Sequence, residues 1–283
     1  MENMLMSQII IPPIKCQGIK TKLVPFIKDN VRRDEKGLWI EPFLGSGVVA
    51  FNVRPKRALL TDKNEHIINL YKSFQSGENT PAIVRDFLDY HGKQLSIYGQ
   101  SYYVKMRNEF NENKNPLFFL FLNRSDFNGM IRFNKLGHFN VPFCQKPDRF
   151  SRSYISKIVN QVEAISKIIQ SNDWQFESCS WQETFSVAKP EDYFYLDPPY
   201  IGRDTSYVGE WPDSEAIELS KYAHLTKANV CLSMWKENEF RKNDHLFDYW
   251  SDFTWIELNH FYHFGAKESN RHPIIEVLAI KEQ

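Results

Sequence analysis

Cysteine is scarce and scattered: Cys16, Cys144, Cys179 and Cys231 form no C-x-x-C pair and no framework spacing. That excludes a disulfide-stapled secreted scaffold and predicts reduced thiols in a cytoplasmic protein. Long apolar runs are missing too. The longest, residues 117–122, is far short of the roughly 20 residues that span a bilayer, so no membrane partner is expected. The first thirteen residues carry no basic n-region and no cleavage-type end, so no secretory signal is expected. Net charge is absent as well, with 35 Lys+Arg against 35 Asp+Glu. What the chain has in quantity is aromatic side chain, 15% of 283 residues, beside a charged fraction of 25%. This composition excludes a disordered chain and suffices for a real core without disulfide or metal staples. The length fits one large domain, or a main domain with a smaller one inserted.

The zero balance hides an uneven distribution. Residues 101–160 hold ten Lys and Arg against four acids, a surplus of six that the rest of the chain must cancel. A basic segment in an acidic body is the usual footprint of phosphate contact, although chance clustering on a solvated surface stays open on charge alone. Apolar runs at 38–43, 58–61, 174–177, 193–196, 230–234, 255–258 and 274–280 predict strands. Ile155, Ile158, Val159, Val162, Ile165 and Ile169 predict an amphipathic helix, as do Ile67, Ile68, Tyr71 and Phe74. Ile83, Phe87 and Leu88 suggest another helix, and residues 213–223 a further one. Alternating strands and helices imply a mostly parallel α/β sheet with helices on both faces. Residues 76–150 break that rhythm, being polar, aromatic and basic, and 123–141 has the look of a hairpin. The expected organisation is therefore a main domain of 1–75 and 151–283 with an inserted recognition subdomain at 76–150.

Two constellations carry chemistry. In Glu41-Pro42-Phe43-Leu44-Gly45-Ser46-Gly47, glycines after a strand let the backbone turn tightly and approach a ligand, with helix-start amides nearby. From Gly45 the run also matches G-x-G-x-x-G/A, and Asp62 lies 17 residues on, placed for a ribose hydroxyl. Such turns also occur as plain structure. In Asp197-Pro198-Pro199-Tyr200, two prolines fix the backbone and hold the Pro198 carbonyl outward as an acceptor. A carboxylate, a carbonyl and a ring at a strand's carboxyl end could take two hydrogens from an amino group on a planar base and stack on that base. The bland reading is a rigid loop with a solvated Asp and a packing Tyr. His260 and His263, three apart in what looks like a strand, face opposite sides, so no metal site is expected. The apolar stripe at 118–122 is expected to be core.

These stretches, together with two more, resemble the amino-methylating DNA methyltransferases, and within them the Dam-like adenine-N6 enzymes (D12 class). Lys15-Cys16-Gln17-Gly18-Ile19-Lys20 resembles that family's opening K-W-x-G-x-K, and residues 41–47 its cofactor motif. Leu122-Asn123-Arg124, Phe127-Asn128-Gly129, Arg132-Phe133-Asn134, Gly137 and Phe139-Asn140-Val141-Pro142-Phe143 resemble its DNA-reading hairpin. Asp197 to Tyr200 resembles its catalytic motif, and Asn270-Arg271 before Glu276-Val277-Leu278 its C-terminal pattern. The matches run in the family's order from residue 15 to residue 278, with Cys16 standing where the family has Trp and Cys144 where it often has Gly.

The resemblance implies a Rossmann-like S-adenosylmethionine-dependent fold and transfer of methyl to the N6 amine of a flipped adenine in double-stranded DNA. Asp197, Pro198 and Tyr200 would be catalytic. Cys16, Lys20, Glu41, Phe43, Gly45, Gly47, Asp62, Ser178, Cys179 and Asp197 would line the S-adenosylmethionine site. Lys20 would lie at the cofactor carboxylate, Asp62 at the ribose or methionyl end, and Ser178 and Cys179 at the adenine. Arg124, Phe127, Asn128, Arg132, Asn134 and Lys135 would meet DNA, with Phe127 and Asn128 at the hairpin's tip and Arg132 as base reader. A GATC or other GAT-containing site is the first expectation, and a restriction endonuclease acting on the same site a further partner. Cytosine N4, RNA adenine or a glutamine amide remain rival substrates. A silent nucleic-acid-binding module or an NAD-binding Rossmann protein is the rival from another class.

Overall fold

The computed structural model of the chain describes residues 8–32, 34, 36–200, 211–261 and 273–282. Seven strands among the described residues form one sheet: β1 (Trp39–Glu41), β2 (Arg57–Thr61), β3 (Asp173–Glu177), β4 (Tyr193–Leu196), β5 (Asn229–Glu237), β6 (Thr254–Phe261) and β7 (Pro273–Lys281). Their order is β3-β2-β1-β4-β5-β7-β6. Neighbours from β3 to β5 pair in parallel, and β7 runs antiparallel between β5 and β6. The central strands are buried on both faces, which is why they show as short unbroken apolar runs rather than alternating ones. Each lies within a residue or two of its expected position, β5 and β6 running a few residues longer.

The two-residue period of a strand sorts its side chains between two cores. Trp39, Ala58, Leu60, Trp174, Phe176, Tyr193, Tyr195 and Cys231 face one cluster. That cluster takes in α1 (Val24–Asn30), α2 (Val48–Val53), α3 (Glu65–Gln75), α4 (Pro81–Tyr98), α5 (Gln100–Asn113), α6 (Pro116–Ser125) and α7 (Arg152–Ser171). Ile40, Leu59, Phe194, Leu196, Val230 and Leu232 face the other, with α8 (Trp181–Val187), α9 (Asp213–Leu225) and α10 (Asp244–Tyr249). Helices cover both faces, as the α/β reading requires.

The 76–150 stretch is mostly helical and shares the first cluster. Thr80 caps α4 and Asn115 caps α6, each followed by a proline at the first helical position. The apolar stripe at 118–122 is the middle of α6, and Phe119, Leu120, Phe121 and Leu122 are fully buried. The hairpin expected at 123–141 begins later than its polar sequence suggests. Asn123, Arg124 and Ser125 form the last turn of α6 and are buried. The hairpin proper is held by bridges between Asp126 and Phe143 and between Phe133 and Phe139. Its tip is the turn from Asn134 to Gly137, closed by Asn134 N–H to the His138 carbonyl. Phe127 and Asn128 therefore sit in the turn at its base, where Phe127 N–H bonds the Pro142 carbonyl.

Because α6 packs in the same core as the sheet, Phe119→Ala is expected to cost the whole chain about 3–5 kcal/mol, in one cooperative transition. Urea unfolding followed by circular dichroism and by tryptophan fluorescence checks this. Two separated transitions would show that 76–150 unfolds on its own.

Candidate active site

The strand order reverses between β1 and β4, and in open α/β sheets the crevice outside such a reversal, at the carboxyl ends of the strands, is where ligands bind. Here β1 ends at Glu41, β2 runs into Asp62 and β4 into Asp197. The loop after β1 is tied down from several sides. Leu44 N–H bonds the Thr61 carbonyl at 2.9 Å, and the Tyr71 hydroxyl donates to the Ser46 carbonyl at 2.6 Å. Asp62 accepts from Gly45 N–H and Asn64 N–H, both at 2.8 Å. The loop amides expected to face a ligand are thus engaged internally at Gly45 and at Gly47, whose N–H bonds the Leu44 carbonyl. What the glycines supply is clearance. Gly45 has φ +50 with open space where a side chain would stand, while a Cβ on Gly47, at φ +69, would come within 2.8 Å of Phe51. The turn is thus open beside Gly45 and closely packed on Phe51 at Gly47.

Asp197 is one-fifth exposed. Lys20, only 4% exposed, places its Nζ 2.7 and 3.0 Å from the two carboxylate oxygens and 3.2 Å from the Gly18 carbonyl. The same ammonium lies 5.1 Å from the centre of the Tyr200 ring. The Tyr200 hydroxyl donates to Glu276 Oε2 at 3.4 Å. Pro198 is buried and Tyr200 half-buried. Ser178 and Cys179 follow β3 at its carboxyl end, next to Asp62, whose N–H bonds the Glu177 carbonyl. Burial pushes the Cys179 thiol up. Phe43 is half-buried and meets Trp211 edge-on at 5.4 Å. Cys16, also half-buried, packs against the main core. Lys20, Glu41, Gly45, Gly47, Asp62, Asp197 and Tyr200 therefore converge on one end of the sheet.

The residues expected to meet DNA divide. Arg124 does not reach the surface: it is 4% exposed, and its guanidinium donates to Gln161 and, at 3.4 Å, to the Tyr154 hydroxyl. It stands in the last turn of a buried helix and ties that helix to α7. Asn134 spends its side-chain oxygen on Leu136 N–H and His138 N–H, shaping the tip, although the residue is exposed. Arg132 is half-buried, its Nε and Nη2 held by Asn140 at 2.7 and 3.0 Å. Phe127 is 52% exposed, and Asn128 and Lys135 are exposed too. His263, Asn270 and Arg271 lie outside the described residues. No cluster of three His, Cys, Asp or Glu suited to a metal occurs among the described residues, and no described helix is long and apolar enough to cross a membrane.

The family model of the D12 class N6 adenine-specific DNA methyltransferases matches residues 17–264. The chain belongs to this family. Over 216 residues it is 30% identical to a DNA adenine methylase of Haemophilus influenzae, covering 69% of this chain and 71% of that one. It is similar to a type II methyltransferase of Lactococcus lactis subsp. cremoris, at 27% identity over 75% of this chain and 70% of the relative. A type II methyltransferase of Methanocaldococcus jannaschii is 26% identical over 79% of this chain and 83% of its own. The protein is an adenine-specific DNA methyltransferase, which sets aside the NAD, silent-module, cytosine, RNA and glutamine readings.

The methyltransferase gathers several acids at the carboxyl ends of β1, β2 and β4. Burial pushes the Asp62 carboxyl up to about 6 against the pull of the Asn64 and Gly45 amides. Burial also raises Asp197, opposed by Lys20 and reinforced by Glu276. Glu276 received no role from the sequence, although the E-V-L pattern that contains it was visible. It is 2% exposed on β7, between Trp235 and Leu258 of the flanking strands. Glu41, 2% exposed, accepts from Trp39 Nε1 at 3.1 Å. Burial, with the nearby Asp197 charge adding to it, pushes its carboxyl from the ordinary 4.5 up to about 8.

Unfolded, Glu41 gives up its proton near 4.5; folded, it holds it to about 8. Between those values the native state carries a proton the unfolded state lacks, so stability falls as pH rises through the window. Glu41→Gln, which keeps an acceptor for Trp39, removes that dependence. Urea unfolding from about pH 5 to about pH 9 is expected to show the wild type losing stability relative to Glu41→Gln up to about 8 and holding level above it. A constant gap across the window would mean that Glu41 carries no proton there.

Proposed function

We propose that the methyl donor is S-adenosylmethionine, held in the cradle of residues 41–47, and that the acceptor is an adenine flipped out of double-stranded DNA. The observation that carries this reading is the paired, partly exposed Asp197 carboxylate at the end of β4, beside an open glycine turn. Lys20 serves the donor's carboxylate end, Asp62 its ribose or methionyl end, and Ser178 and Cys179 its adenine, with Cys16, Glu41 and Phe43 as walls. When bound, the donor supplies an electrophilic methyl on a sulfonium sulfur.

The adenine amine is a poor nucleophile because its lone pair is conjugated into the ring. Asp197 and the Pro198 carbonyl each accept one of its hydrogens, which favours a pyramidal nitrogen with an available lone pair. The same bonds stabilise the positive charge that develops on that nitrogen. No base is needed beforehand, since the cationic product sheds its proton readily. Lys20, 2.7 Å from Asp197, favours the ionised carboxylate that acceptance requires. Tyr200 stacks on the extruded base and offsets part of the unstacking cost of about a few kcal/mol.

Residues 76–150 act as the recognition subdomain. Phe127 and Asn128 enter the duplex beside the target, and Lys135 contacts phosphate. Arg132 reads a guanine. Asn140 holds one edge of its guanidinium, which presents the remaining N–H groups at low entropic cost, and a bidentate arginine–guanine pair is the commonest specific contact in the major groove. The first site to test is G-A-T-C or another G-A-T sequence. The protein works in the cytoplasm, and the type II names of two relatives support a partner endonuclease cutting the same site.

Asp197→Ala is expected to slow single-turnover methyl transfer by about a hundredfold or more, as loss of a preorganised transition-state hydrogen bond does elsewhere. Rapid-quench transfer of a labelled methyl group checks it, and a rate near the wild type's would sink the mechanism. Arg132→Ala is expected to cost about 1–3 kcal/mol on the preferred site and to relax discrimination at one guanine. Lys135→Ala weakens all sequences alike and flattens the salt dependence. Methylation of a library of single-base variants separates the two. Equal loss at every site in Arg132→Ala would make Arg132 a phosphate clamp.

A further inference from the structure

Asn123 is fully buried, and its carboxamide behaves as a strand partner for a residue 108 positions away. Its Oδ1 accepts from Lys15 N–H at 2.7 Å, and its Nδ2 donates to the Lys15 carbonyl at 2.9 Å. The same Nδ2 reaches the Gly129 carbonyl at 3.4 Å. Gly129, in the turn at the hairpin's base, sits so close that a Cβ there would lie 2.4 Å from both Cβ and Cδ of Lys15. The recognition turn thus rests directly on the Lys15 stem, with Asn123 joined to both. Five residues on, Lys20 bonds the Gly18 carbonyl and both oxygens of Asp197.

We propose that Asn123 is a positioning residue that ties the hairpin base to the 15–20 segment, so that seating of the turn at Phe127 on its DNA site steadies the Lys20–Asp197 pair already formed in the free protein. The proposal rests on the reading of Asp197 and the hairpin given above. The path is short and built of stiff contacts: a buried amide pair, a glycine with no side chain to yield, and an ion pair. A merely structural asparagine would support every substrate equally. A coupling asparagine matters most for the DNA that seats the turn correctly, because only that DNA draws on the link.

The test uses the full chain and a duplex carrying one G-A-T-C, replaced by the best-methylated duplex of the library if another ranks higher. In the wild type, amide hydrogen exchange of peptides covering 15–20 is expected to slow on this duplex more than on the same duplex with one base of the site changed. In Asn123→Ala the hairpin peptides keep their protection and the 15–20 peptides lose theirs. Single-turnover methylation by the variant falls at least about tenfold on the preferred duplex and less than about threefold on the altered one. Should Asn123→Ala fail to fold, Asn123→Asp takes its place: it keeps an acceptor for Lys15 N–H and loses both donors. Equal losses on the two duplexes, or protection of 15–20 that survives in the variant, would overturn the proposal. Near-normal methyl transfer by Asp197→Ala would instead sink the reading beneath it.

Discussion

The ion pair of Lys20 with Asp197 joins a turn ahead of the first helix to the end of the fourth strand, across 177 positions of sequence. Removing both charges from water is costly, and the pair holds only because its geometry is good and the remaining donor capacity of Lys20 finds the Gly18 carbonyl. Burial and the nearby Glu276 both work against a charged Asp197, and the Lys20 ammonium opposes them. The hairpin leans on the same N-terminal segment through Lys15. The end of β4 and the base of the hairpin thus share one short stretch of chain, residues 15–20.

The sheet divides the helices between its two faces. One cluster carries α1 to α7 and with them the hairpin; the other carries α8 to α10, which brace the outer side of β4 and β5. The 76–150 stretch has no hydrophobic cluster of its own among the described residues, since its helices pack with the sheet through α3 and α7.

Much of the fold was legible because doubly buried strands show as short apolar runs and α7 displays a clean 3.6-residue stripe. The helical character of 76–125 was visible only in part. In α5 the buried positions Tyr103, Met106 and Phe110 are diluted by Asn, Glu and Lys at the exposed ones. The burial of Arg124 was not legible because charge in a basic segment suggests water or phosphate, whereas a helix end can turn an arginine inward when Gln161 and Tyr154 receive it. The acids of the site were visible as strand ends. Glu276 and Asn123 were quoted within motifs, yet their work depends on partners 76 and 108 positions away, which no local pattern encodes.

The place of β7 has a consequence for how the protein is made. Strands emerge from the ribosome in order, and β6 precedes β7, yet β7 lies between β5 and β6. Until β7 is synthesised, the nine residues of β5 present an unpaired edge and β6 has no strand to lie against. The nascent chain is then at its most prone to pair with a neighbouring chain. Since Glu276, a hydrogen-bond partner of Tyr200, rides on β7, that contact forms only in the step that closes the sheet. A chain that stalls short of that step therefore lacks both the closed sheet and the Tyr200 partner.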